Sequence, residues 1–155
     1  DVGIDVLSFG GTKNGLMFGE AVVFFNSKLS QDFKYVRKQA TQLASKMRYI
    51  AAQFDALLTD ELWLENAKKA NKMAELLAKE AEKIPGIKVT QPVQSNGVFV
   101  TMPKEAAKLL QQQYFFYPWD EINGEYRWMT SFDTEEKDVL EFIEAAKAAV
   151  CKACG

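Results

Sequence analysis

Apolar residues follow two rhythms along this chain. Near the start, IDVLS at residues 4–8 and EAVVFF at 20–25 are short runs rich in β-branched and aromatic side chains, and they predict two strands around a glycine-rich connection. From residue 31 to 58 the rhythm changes. Val36, Ala40, Leu43, Met47, Ile50, Phe54 and Leu57 recur at alternating steps of four and three, which predicts one long amphipathic helix. Thr59, Asp60 and Glu61 then supply an acidic first turn for a second helix over 60–83, with Leu62, Trp63, Ala67, Ala70, Met73 and Leu77 among its apolar positions. IPG at 84–86 stops it.

Beyond that point the period drops toward two. IKVTQPV and VFVTM, separated by QSNG, predict a hairpin with Asn96-Gly97 as its turn, and Pro92 puts the first strand near an edge or a bulge. Pro103 suits the first position of a short helix reaching about Gln113. YFFYP and YRWMTSF predict a second hairpin with a turn at Asn123-Gly124, and the aromatic run Tyr114, Phe115, Phe116, Tyr117 and Trp119 is assigned to strand core. Asp133 is placed as the cap of a final helix, with Glu136 in the capping-box position and Val139, Phe142, Ile143, Ala146 and Val150 as its inner stripe. From residue 60 onward the order is helix, hairpin, helix, hairpin, helix, a two-layer α/β unit.

The expected fold class is therefore α/β. Residues 1–30 are expected to be the end of a larger sheet, because two strands and a loop cannot bury their own faces. Residues 31–58 form the connecting helix and 59–155 a small C-terminal α/β domain. The chain is accordingly expected to be the C-terminal part of a longer protein.

Composition narrows the function. The 155 residues carry 19 basic and 21 acidic side chains, a net charge of −2, and no basic excess of the kind that binds polyanions, so nucleic acid is not an expected partner. The apolar run LMFGEAVVFF is too short to span a bilayer, and DVGIDV lacks the order of a signal peptide; a cytoplasmic location and no membrane partner are expected. With no histidine at all, histidine-based nucleophile systems cannot be built, and the Cys151/Cys154 pair has no second pair to complete a zinc site; no metal is expected and the thiols are taken as incidental.

Lysine, arginine, carboxylates and tyrosine remain, and one lysine stands out. VLSFGGTKNG puts Lys13 on a tight loop behind Gly11 and Thr12. The sequence lacks the first glycine of a nucleotide-binding P-loop and has Asn14 after the lysine, so that motif is a weak match. DVLSFGGTKNGLMFGEAVVFF instead resembles the lysine segment of low-specificity L-threonine aldolases, in the aspartate aminotransferase-like type I class of pyridoxal phosphate enzymes. VRKQATQLASKMRYIAAQ resembles a downstream R-K, spacer, M-R-Q segment of that family, with Tyr49 in place of the glutamine. YRWMTSFDTEEKDV is similar to its R-x-x-T-x-x-D-T segment.

The resemblance implies a set of roles. Lys13 would carry pyridoxal 5'-phosphate as a Schiff base, with Thr12, Gly11, Lys38 and Arg48 as further cofactor-binding residues and Arg127 holding the substrate carboxylate. The activity implied is cleavage of L-threonine and similar β-hydroxy amino acids to glycine and an aldehyde, by a homo-oligomer. Other parts of the family's site lie upstream of the lysine, so the 155 residues alone are expected to be inactive. A non-catalytic α/β assembly module, or another type I lyase or aminotransferase, is the alternative.

Overall fold

The computed structural model describes residues 2–154. The chain divides between Glu65 and Asn66 into two compact units.

In the first unit, strands β1 (Val6–Gly10) and β2 (Glu20–Phe24) pair antiparallel from Val6 opposite Phe24 to Gly10 opposite Glu20. Two helices follow, α1 (Phe33–Gln39) and α2 (Arg48–Leu58). The predicted continuous helix over 31–58 is thus broken at residues 40–47. The break has a backbone cause: Thr41 and Lys46 adopt φ of 57° and 58°, a left-handed conformation that no right-handed helix can run through. Only the second half of the apolar stripe is kept, with Ile50 and Phe54 half-buried and Leu57 buried, whereas Val36, Ala40 and Leu43 are exposed. Phe33 of α1 meets Phe24 of β2 edge-on at 4.8 Å, and Phe54 of α2 lies 6.0 Å from Phe9 of β1.

Helix α3 (Leu62–Ala81) is preceded by a turn at Thr59–Glu61 in which Asp60 and Glu61 also take positive φ. The second unit then follows the predicted order with β3 (Lys88–Val89), β4 (Gly97–Thr101), α4 (Lys104–Leu110), β5 (Tyr117–Asp120), β6 (Glu125–Met129) and α5 (Glu136–Cys154). The strands form one antiparallel sheet in the order β3-β4-β6-β5. Val98 and Val100 of β4 and Tyr126 and Trp128 of β6 alternate onto the face that packs against the helices, where they join Met73, Leu77, Leu110, Val139 and Ile143 in a single core. The outer strands are short: β3 has two residues and is soon followed by Pro92, and β5 has four, one of them Pro118.

Four local expectations are corrected. Asn96 is tied across the sheet to Thr130, its side-chain amide donating to the Thr130 carbonyl at 2.7 Å, rather than turning the first hairpin alone. Pro103 is the extended residue before α4, not its first turn. Glu135, not Asp133, stands at the start of α5, where its backbone N–H is accepted by Asp138 at 2.9 Å, the return arm of a capping box. In the aromatic run only Phe116 is buried, whereas Phe115, Tyr117 and Trp119 are exposed.

Thr130 is a buried polar residue, and its hydroxyl donates to the Ala70 carbonyl of α3 at 2.7 Å. Thr130→Val removes that donor while keeping the shape. A loss of about 1–2 kcal/mol is expected from the denaturant midpoint, and an unchanged midpoint would mean the bond contributes nothing.

Candidate active site

Lys13 sits in a single turn of 3-10 helix, Thr12–Asn14, between β1 and β2. The loop is braced by its own backbone. Gly11 donates to the Gly19 carbonyl at 3.1 Å, and the Gly11 carbonyl accepts from Asn14 at 3.0 Å and Leu16 at 3.1 Å. Gly11 has to be glycine here, since a Cβ would come within 2.2 Å of the buried Leu16 side chain. Gly15 closes the turn at φ 117°, where any other residue would be strained. The Thr12 hydroxyl bridges to Gly19, accepting its N–H at 3.3 Å and lying 3.4 Å from its carbonyl.

Helix α2 and the first turn of α3 also hold the loop. Gln53 accepts the backbone N–H groups of Met17 and Phe18 at 3.1 and 3.3 Å, and the Asn14 side-chain amide donates to the Trp63 carbonyl at 2.9 Å. The result is a fixed platform from which the Lys13 side chain extends, exposed. Among the described residues no ion pair involves Lys13, Lys38, Arg48 or Arg127. Lys38 stands in the last turn of α1 and Arg48 opens α2, on either side of the break, and both are exposed. No hydrogen bond among the described residues joins either of them to the lysine loop.

Arg127 belongs to the second unit. It lies on β6 opposite Phe99 of β4 and Tyr117 of β5, on the sheet face turned away from the helices. Its guanidinium carbon is 5.0 Å from the centre of the Trp119 ring, and its Nε is buried with no hydrogen-bond partner. A desolvated donor left without an acceptor is unfavourable, and among the described residues no ion pair offsets that cost for Arg127. The R-x-x-T-x-x-D-T segment around it has structural work as well: Thr130 anchors α3, and the Thr134 hydroxyl accepts the Ser131 N–H at 2.8 Å. Trp119 is the neighbour of Arg127 that the sequence does not reveal, because an aromatic run reads as strand core.

Comparison with known proteins defines first the class. The solved structure of Leishmania major threonine aldolase is similar with a TM-score of 0.83 and 32% identity over 94% of this chain. A pyridoxal phosphate-dependent aminotransferase from Streptococcus suis shares the fold at a TM-score of 0.71, 16% identity and 95% coverage. These likenesses take in 43% and 42% of those chains. The α/β fold is thus the one seen in threonine aldolase and aminotransferase structures. The family follows directly: the chain belongs to the beta-eliminating lyase family, which it matches over residues 2–104. It is 47% identical over 149 residues, 96% of its length, to the low specificity L-threonine aldolase of Pseudomonas sp. strain NCIMB 10558. The chain spans about two-fifths of the length of the curated relatives it matches, 43% and 40%.

Proposed function

We propose that the protein as encoded in full is a pyridoxal phosphate-dependent carbon–carbon lyase of the cytoplasm, a homo-oligomer that cleaves L-threonine and similar β-hydroxy amino acids to glycine and an aldehyde. The observation that carries this is Lys13, an exposed amine in no ion pair among the described residues, on a braced turn in a chain 47% identical to a low specificity L-threonine aldolase. Among the described residues no helix is long and apolar enough to cross a membrane.

The donor set fits the cofactor. Lys13 offers the primary amine that a pyridoxal aldehyde needs, held on a loop that does not depend on the side chain for its shape. In this assignment Gly11 and Thr12 set the position of the lysine, their hydrogen bonds going to Gly19. Lys38 and Arg48 supply positive charge for the cofactor phosphate. Bound pyridoxal phosphate supplies an electron sink for the pair left on Cα when the Cα–Cβ bond breaks. Arg127 takes the substrate carboxylate: a planar, bidentate pair sets the direction of that group, and with it which bond at Cα is presented for cleavage. Its guanidinium is in no ion pair among the described residues, which supports that assignment.

The test is to supply the full protein with pyridoxal phosphate and L-threonine and to identify the products. Glycine and acetaldehyde are expected. An oxo acid without aldehyde would reassign the reaction to transamination, and no reaction with any amino acid would favour the assembly-module alternative. Residues 1–155 expressed alone are expected to show little or no cleavage and to lose cofactor on gel filtration. Turnover comparable to the full protein would show that these residues hold a complete site.

A further inference from the structure

We infer that Trp119 is a positioning residue for Arg127, holding the guanidinium by its flat face so that its N–H donors stay open to a carboxylate. The inference rests on the carboxylate-binding role proposed for Arg127. An aromatic face attracts a cation without taking up its in-plane N–H bonds. A carboxylate neighbour does the opposite, filling the donor fork that the substrate needs.

The surroundings of Arg127 follow that logic. Its guanidinium carbon lies 5.0 Å from the Trp119 ring centre, and Phe99 meets the same ring edge-on at 5.2 Å and 71°, bracing the surface on which the cation rests. Phe99 and Tyr117 flank Arg127 in register on the neighbouring strands. Two nearby acids are engaged elsewhere. The carboxylate of Asp120 accepts from the backbone of Ile122 and from Asn123, and that of Glu125 accepts from Thr90 and Gln91. What remains beside the guanidinium is an aromatic wall: Nε is buried, and no ion pair among the described residues takes up the terminal N–H groups. Trp119 is itself half-exposed, so its substitution leaves the core of the unit intact.

Glycine and methylamine differ only by the carboxylate, and they separate positioning from general damage. Dissociation constants for both are read from the change in cofactor absorbance in the full protein. Trp119→Leu is expected to weaken glycine by about threefold to tenfold, the range of a partly exposed cation–π contact, and to leave methylamine unchanged. Trp119→Phe is expected to recover most of the loss. Arg127→Ala is the reference and is expected to weaken glycine more than either. If Arg127→Ala weakens glycine while Trp119→Leu does not, or if Trp119→Leu weakens both amines equally, the positioning role is wrong although the carboxylate site stands. If Arg127→Ala leaves glycine binding unchanged, the carboxylate assignment fails and the role of Trp119 fails with it.

Discussion

Replacing Lys13 by alanine in the full protein is expected to lower aldehyde release from L-threonine by about a thousandfold or more, the scale on which loss of a covalent catalytic group is felt. After borohydride reduction, the pyridoxyl mass expected on the peptide containing residue 13 should vanish with it. Lys13→Arg should fail as badly, because arginine keeps the positive charge but offers no free amine; the pair of variants separates charge from nucleophilicity. Stability should move by less than about 0.5 kcal/mol in either case, as usual for a surface substitution. The loop is held by Gly11, Asn14, Leu16 and Gly19 through backbone bonds, none of which uses the lysine side chain. Full turnover in Lys13→Ala would make the lysine incidental and return the chain to the class of assembly modules.

The largest effect on folding is expected at Trp128. Its ring is 2% exposed and lies 4.8 Å from Phe142 and 6.2 Å from Phe116, at the centre of the second unit. Trp128→Ala should cost about 3–5 kcal/mol, a large part of the total stability of about 5–15 kcal/mol typical of a domain. Trp128→Phe should cost much less than its loss of volume implies. The indole N–H is buried without a partner, so phenylalanine removes an unfavourable group together with some packing. Denaturant midpoints of the two variants give the comparison. Equal losses would mean that the indole N–H is hydrogen-bonded in solution.

The second unit was legible in the sequence because its signals are periodic and local. Met73, Ala74, Leu77, Ala78 and Ala81 repeat at helical spacing, and Val98, Val100, Tyr126 and Trp128 alternate as strand residues should. The break at 40–47 was not legible. Ala40, Leu43 and Met47 continue the stripe across it, and the left-handed residues are a threonine and a lysine, with neither glycine nor proline to mark them. Exposure of Phe115, Tyr117 and Trp119 was hidden for another reason. Every residue of that run is apolar in bulk, so composition points inward, while Tyr117 is set opposite Arg127 on the open face, Trp119 falls at the bulge and Phe115 precedes the strand.

The candidate site divides along the same line. Lys13 could be found from its neighbours in sequence, because the turn that presents it is built from residues 11–19. Trp119 could not, since its contact with Arg127 depends on how two strands are set beside each other, and the bulge between Pro118 and Asp120 shifts that register.

The short outer strands of the four-stranded sheet have a consequence for behaviour in concentrated solution. An edge strand is a template on which another chain can grow by hydrogen bonding. Here one edge ends after two residues and runs on to Pro92, and the other is interrupted by Pro118, which has no N–H to donate. Neither margin gives a continuous ladder, so the second unit resists sheet-to-sheet aggregation even though aromatic side chains stand open on its outer face.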